Sequence, residues 1–549
     1  MPYNLIEEPW IPVRRQSGEE TWIRPWEVTD HVEGASPILA LNAPRPDFNG
    51  SLIQFLIGLV QTAFGPHDER EWRKRLQRPP SPAELRDAFS KYERAFELDG
   101  DPPRFLQDYE EIPDAHKKQI AYLLVDSPSD NALTKNKDHF VKDRSEDQYC
   151  QACTAAALFS FQTNAPQGGR GHRTSLRGGG PVSTLVIGRN LWHTIWLNTF
   201  PLSSLGQGGS SQAVQLSDVF PWLAPTRTSG DDTVTTPEDV HELQAFWGMP
   251  RRLFLESPED HSGTCDLCGR ERDTFYTRCR TVNHGVNYAG AWEHPLTPHW
   301  RTDDGEIRPI HGQQEGFSYR YWRGFAIGGD EEQTQSARVV RAFYDRTRYS
   351  SLDEVFQSRP RLWVFGFEVD RTKIRAWHES LMPLYQVPPG IHQPLEKMAS
   401  QLVEVADSVG DTLALSLRRA VYGYPTSTAT GKTSWNIQEG KGRDHTFFEN
   451  TEVQFWQDTE PAFYGILDEG VHAIENSRLL DDLKQEWVRR LQDVALDLFD
   501  EATQYGQFYT ADPKAVAIAR EELRRFTSPH ASNIQEMLDL PEPDATAVS

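Results

Sequence analysis

The chain has 549 residues, with 57 Lys and Arg set against 80 Asp and Glu, for a formal net charge of −23 at pH 7. That length exceeds what one hydrophobic core supports, so at least two domains are expected. No run of about 18 apolar residues is present and the opening MPYNLIEEPWIPV lacks a leader's basic and apolar regions, so a cytoplasmic chain without membrane contact is expected.

In chain order, SLIQFLIGLVQTAF (Ser51–Phe64) reads as a helix. A basic stretch, LTKNKDHFVKDR (Leu133–Arg144), runs toward the pair Cys150-x-x-Cys153, from which TAAALFSF continues as a second helix. The glycine- and arginine-rich PQGGRGHRTSLRGGG (Pro166–Gly180) follows, then two strand-like runs, STLVIG (Ser183–Gly188) and HTIWL (His193–Leu197). A second pair, Cys265-x-x-Cys268, precedes a further strand, RLWVFGFEV (Arg361–Val369). Beyond Pro394 the pattern becomes amphipathic. Leu395, Met398, Leu402, Val405, Val409, Leu413 and Leu417 recur every three or four residues, as do Leu483, Trp487, Leu491, Val494 and Leu498. Asp512 as N-cap and Pro513 at the first position open a last helix, and a further helix is expected around Glu452 to Leu467. The fold class expected is therefore α+β, with a large mixed α/β N-terminal domain over residues 1–385 followed by a C-terminal four-helix bundle over 386–549, whose tail LPEPDATAVS is too polar to pack. No βαβ alternation supports a Rossmann fold or TIM barrel.

Two Cys-x-x-Cys pairs more than a hundred residues apart offer four soft ligands, which is what a closed tetrahedral zinc site requires. Cys150, Cys153, Cys265 and Cys268 are thus candidate ligands of a structural zinc ion, a staple with no open position for hydrolytic chemistry; redox pairs or incidental thiols are the alternatives. Cys279 is left over and is expected to be a buried free thiol. Charge is also uneven. From Gln148 to Ser217 there is no Asp or Glu, while Arg170, Arg173, Arg177 and Arg189 remain. Such a window is either the footprint of an anionic ligand or a buried segment from which charge is excluded. Glycines that let backbone approach a ligand, beside arginines that reach phosphate or base edges, favour nucleic acid, although such loops also serve as linkers.

TSTATGKTSW (Thr426–Trp435) imitates the end of a phosphate-binding P-loop, but lacks the first glycine and follows a helix where the motif follows a strand. It reads better as a connection between bundle helices, with Lys432 available for a phosphate. His139, His284 and His294 show no spacing that specifies a catalytic pair, and catalysis is not supported.

Taken together, NLIEEPWIPV, Cys-x-x-Cys-TAAALF, LRGGGPVSTLV, and Cys-x-x-Cys-Gly followed by the Trp292–Pro295 WEHP resemble the CasA family, the large subunit of type I-E Cascade, in order and across the whole chain. The resemblance implies a non-catalytic subunit of an RNA-guided complex. It would recognise a protospacer-adjacent motif in double-stranded DNA, promote strand separation and R-loop formation, and recruit a helicase-nuclease, its partners being guide RNA, the other Cascade subunits and duplex DNA. The family reads the motif with a glycine loop, a lysine finger and a glutamine wedge, largely from the minor groove. Carried over by local spacing, the loop falls on Gly169, Arg170 and Gly171 with Gly168 beside it; the finger falls on Asn283 and the wedge on Arg371, so this chain departs from the family at both. A further family loop at the guide end falls on Asn131, Lys135, Asn136 and Lys137. A zinc-containing hydrolase and a DNA-independent interaction scaffold are the rival readings.

Overall fold

The computed structural model describes residues 2–110, 112, 114–127, 147–169, 171–204, 215–313, 316–327, 334–347, 352–370, 373–427, 433–437, 445–504 and 512–541. They form two compact units, one of Met1–Phe317 with Gly324–Leu384, the other of Ser318–Arg323 with Tyr385–Ser549. The architecture mixes helix and sheet, as the α+β assignment requires, and ends in helices. Among the described residues no helix is long and apolar enough to cross a membrane.

The core of the first unit is aromatic. Phe55, on the Pro46–Phe64 helix, meets the rings of Trp10, Phe96, Phe105, Phe159 and Trp247 edge-on, with centroids 5.0–6.0 Å apart. Each such pair adds about 0.5–1.5 kcal/mol to simple area burial. Among the described residues the strands of this unit form short three-stranded sheets. In one, Arg361–Asp370 pairs with Lys373–Pro383 on one side and with Ser183–Ile187 on the other, all antiparallel. Two others carry the site residues. Glu271–Tyr276 lies between Tyr149–Cys150 and Glu259–Thr264, and Arg278–Val282 lies between His116–Gln119 and Arg252–Leu255.

The run HTIWL, expected as a strand, is helical: Leu191–Leu197 forms a short helix capped by Asn190, whose side chain accepts from the His193 amide at 3.0 Å. Helical spacing lets Trp192 and Trp196 stack at 5.1 Å, and the Trp196 indole donates to the Trp72 carbonyl at 2.8 Å. A five-residue apolar run cannot distinguish the two states; the cap and the stacked pair decide it. The Ser183 strand and the helices from Ser51 and Thr154 form as expected.

In the second unit the apolar stripe of Pro389–Tyr422 is fully used: Leu395, Met398, Leu402, Val405, Val409, Leu413 and Leu417 are each 2% exposed or less. At roughly 1.5–3 kcal/mol per buried side chain, this stripe is a principal source of the unit's stability. It packs with His445–Ala473, Ser477–Gln504 and Pro513–Phe526, the last capped by Asp512. The P-loop look-alike is a hairpin between the first two helices, Gly423–Ser427 against Thr433–Ile437; Lys432 lies outside the described residues, as do residues 542–549 of the tail.

One contributor was not legible in the sequence. Ser318–Arg323 belongs to the helical unit, where Tyr319 stacks on Phe463 at 4.4 Å, meets Trp487 edge-on at 5.8 Å and shares a hydrogen bond with Thr459 at 2.9 Å. Tyr319→Ala should cost about 3–5 kcal/mol in the helical unit, by analogy with other large aromatic truncations in cores. Urea unfolding followed by far-ultraviolet circular dichroism checks it through a lower midpoint for the helical transition.

Candidate nucleic-acid interface and four-thiol site

The four expected thiols meet. All four sulfur atoms lie within 4.8 Å of one another, with Cys150, Cys153 and Cys265 buried and Cys268 half-buried. The Cys150 and Cys268 sulfurs are 3.9 Å apart, too far for a disulfide bond of about 2.05 Å. Thiolates at about 2.3 Å from one tetrahedral ion stand about 3.8 Å from each other, so the set can hold a metal ion. Local structure makes the site. The first pair lies where the Tyr149–Cys150 strand becomes the Gln151–Asn164 helix, and the Cys150 amide donates to the Cys265 sulfur at 3.3 Å. The second pair forms a turn closed by the Gly269 amide donating to the Cys265 carbonyl at 2.8 Å. Asp266 ties the two together by accepting from the Asp147 and Gln148 amides, each at 2.8 Å. Hydrogen bonds from Cys150 and Cys153 bring the Cys268 thiol down to about 7 and pull Cys265 down as well, while the bond to Cys150 raises Cys153. The downward direction at Cys265 and Cys268 favours thiolate, the form that binds metal. Cys279 is buried apart from this set, its thiol pushed up to about 12 by burial.

The glycine loop grows out of the same helix. After Asn164 the chain turns back on itself, with the Ser175 amide donating to the Ala165 carbonyl at 3.0 Å and Gly180 to Asn164 at 3.1 Å. Gly168 and Gly169 are exposed at its tip, and a Cβ added at Gly169 would meet nothing within 4 Å. Gly171 differs. Its φ of +81° lies in the left-handed region, and a Cβ there would stand 2.8 Å from the Asn283 Cβ and 2.9 Å from the His284 amide nitrogen. The His284 amide donates to the Gly171 carbonyl at 2.8 Å.

The structure thus brings together the loop and finger positions, Gly171 and Asn283. Asn283 follows directly on the Arg278–Val282 strand, half-buried, and the next residue, His284, takes a φ of +65°. A left-handed histidine is uncommon and turns the chain sharply beside the loop. Ser229 braces the junction: it accepts from Arg173 Nε at 2.8 Å and donates from Oγ to the Gly285 carbonyl at 2.7 Å. Arg251 adds a second brace to the Pro166 carbonyl. Arg170, Arg371, and Asn131, Lys135, Asn136 and Lys137 lie outside the described residues, as do the rest of Leu133–Arg144 and His139. The strand pair adjoining Arg371 ends at Asp370 and Lys373, with Asp370 ion-paired to Arg375 at 2.6 Å.

Much of the acid-free window is interior. The 151–164 and 191–197 helices and the 183–187 strand are almost wholly buried, so exclusion of charge from the core explains most of it. Arg177 is 4% exposed and donates to Ser183 Oγ and Thr297 Oγ1, each at 2.9 Å, and to Gln54 Oε1 at 2.6 Å. It is an internal anchor for the loop's stem, not a ligand-facing charge. His294, of the WEHP block, is equally internal: it is 2% exposed and its Nδ1 accepts from the Leu296 amide at 3.2 Å.

This chain belongs to the Cse1 family: the profile described as CRISPR-associated protein Cse1 matches residues 4–498. The CRISPR-associated protein CasA/Cse1 of Thermus thermophilus is 26% identical over 208 residues, a segment that spans 36% of this chain and 40% of that protein. A crystal structure of Thermus thermophilus CasA superposes with a TM-score of 0.67 at 18% identity, covering 96% of this chain and 99% of that one. A chain of a CRISPR RNA-guided surveillance complex gives 0.64 at 15%, covering 96% and 99%.

Burial pushes the imidazoles of His172, His193 and His299 down to about 4, with Arg251 adding to the effect at His172 and Arg189 at His193. Between about pH 6.5, where an unfolded histidine titrates, and pH 4, the unfolded chain binds protons that the folded chain refuses. Stability is therefore full above pH 6.5 and falls as pH drops toward 4. Melting temperatures recorded from pH 7 to 4.5 should decline, and replacing His193 with Gln should flatten that decline.

Proposed function

We propose that this chain is the non-catalytic large subunit of an RNA-guided type I-E Cascade complex in the cytoplasm, and that it recognises the protospacer-adjacent motif in double-stranded DNA. On this reading it starts strand separation and R-loop formation, and presents the opened target to a helicase-nuclease. Family membership supports the assignment to Cascade, alongside guide RNA and the other subunits. The observation that carries the DNA reading is the contact between Gly171 and Asn283, positions more than a hundred residues apart that the family resemblance assigns to one task.

The physics of the task fits the site. Base pairing with a guide supplies long-range choice of sequence, so the protein needs only a few contacts to nucleate opening. An exposed glycine tip lets backbone approach a groove closely, and the amide of Asn283 both donates and accepts, as the degenerate pattern of the minor groove demands. An asparagine in place of the family's lysine gives up a charge attraction for a hydrogen bond; the preferred motif and its salt dependence should shift accordingly. Arg371, at the wedge position, supplies a cation to clamp phosphate or enter the base stack, and Asn131 to Lys137 contact the guide end.

The ion proposed for Cys150, Cys153, Cys265 and Cys268 is zinc, in a closed structural role. Purified protein should contain one zinc per chain by plasma emission analysis, and chelation should destabilise the α/β unit by several kcal/mol, by analogy with other structural zinc sites. Zinc-free soluble protein of unchanged stability would reject this role.

The decisive measurement is a gel shift with duplexes that differ only in the adjacent motif, using the chain alone and within the guide-loaded complex. Motif-dependent binding is expected without cleavage. Cleavage by the isolated chain would point to a hydrolase, and motif-blind behaviour to a scaffold. Gly169→Leu is the cleanest variant, because a Cβ at that position meets no atom within 4 Å. Affinity for the preferred duplex should fall at least tenfold, about 1.4 kcal/mol, while the melting temperature stays unchanged.

A further inference from the structure

The chain that leaves the Gly171–Asn283 contact goes on, at Val286 and Tyr288, to line a cavity of about 130 Å³. Its walls continue the two segments that build that contact. One is Val286–Tyr288, which follows the turn at His284; the other is Ala224–Arg227, which leads into Ser229, the residue that braces both Arg173 and Gly285. A main-chain ladder joins Thr235, another lining residue, to the first of these segments, with the Thr235 amide donating to the Asn287 carbonyl at 2.8 Å and the Ala289 amide to the Thr235 carbonyl at 3.0 Å.

The lining has two characters. Val240 and Val286 supply apolar surface, whereas Asp218, Arg227, Gln244 and Tyr288 supply polar groups. The Gln244 amide nitrogen donates to the Asp218 main-chain carbonyl at 2.9 Å, which leaves its oxygen as an acceptor. The Tyr288 hydroxyl accepts from the Met249 amide at 2.9 Å and has its own proton left to donate. An apolar cavity of about 150 Å³ takes benzene, so the space suits a single six-membered ring and no base pair. A flat ring with apolar faces and a rim of donors and acceptors is the chemistry of a nucleobase, which proteins hold by packing on its faces and hydrogen bonding to its edge.

We propose that this cavity receives one unpaired pyrimidine base from the DNA strand separated beside the motif. The inference rests on the motif-reading function proposed above. Capture would act after recognition: a base lodged here cannot re-pair, so the first opened step is kept from closing while the guide begins to pair. Extrusion is cheapest where pairing is already broken, as it is beside the motif once opening has begun.

The test uses the guide-loaded complex containing the full chain and a duplex that carries pyrrolo-deoxycytidine, a fluorescent pyrimidine quenched by stacking, at successive positions next to the motif. Wild-type protein should raise the fluorescence at least threefold at one position. Val286→Phe and Val240→Phe, two lining positions at which a larger ring would fill the cavity, should each abolish that rise and slow R-loop formation, with matched-motif binding changed less than twofold. Thermal melting establishes which variant is folded, and the result is read from that one. An undiminished rise in a folded, cavity-filled variant, or no rise at any position in a wild-type complex that still discriminates motifs, overturns base capture alone. Loss of motif discrimination in the wild type overturns the motif-reading function and this inference with it.

Discussion

Two structural paths leave the four-thiol cluster and meet again at the candidate interface. From Cys150 and Cys153 the Gln151–Asn164 helix runs to the base of the glycine loop; from Cys268 the strands Glu271–Tyr276 and Arg278–Val282 run to Asn283. Fixing both origins at one point is what allows a contact as close as Gly171 against Asn283 to form between segments so distant in sequence. The paths are also tied midway. Gln162, on the helix, exchanges hydrogen bonds with the Arg251 main chain at 2.9 and 3.0 Å, just before the strand that pairs with Arg278–Val282. Four thiols that took one tetrahedral ion would leave it no coordination position for a substrate.

The loop's stem is held by an unusual means. Burial pushes the Arg177 guanidinium down to about 9, and it donates to two hydroxyls and an amide oxygen rather than to a carboxylate. A buried cation served by neutral oxygens is costly, and it is sustained where each donor is well placed. Here that spends stability on stiffness: the segment entering the Gly178–Gly180 turn is pinned to the helix carrying Gln54 and to Thr297, so the exposed glycine tip is carried on a fixed stem.

How much of this was legible depended on the range of each interaction. Amphipathic stripes such as Leu395 to Leu417 declare themselves because helix geometry repeats locally, and the thiol pairs declare themselves because two-residue spacing suits a shared metal. Short apolar runs do not: HTIWL has strand-like composition, and the Asn190 cap outweighs it. Charge depletion from Gln148 to Ser217 was visible, but its main cause, burial, was not separable from ligand binding without knowing which residues were inside. The meeting of Gly171 with Asn283 was foreshadowed only by family resemblance, since no local pattern marks a contact of that sequence separation. The left-handed His284 and its brace at Ser229 left no signal at all, because neither residue is unusual in type.

The excursion of Ser318–Arg323 into the helical unit has a practical corollary for anyone dissecting the protein. A fragment excised from Tyr385 onward would retain the helices Pro389–Tyr422, His445–Ala473, Ser477–Gln504 and Pro513–Phe526 yet lack the ring that fills the space between Phe463 and Trp487. The complementary fragment would expose Tyr319 to water. Neither half of a cut at that boundary inherits a finished interior, so the covalent continuity of the chain is itself part of how the bundle is sealed.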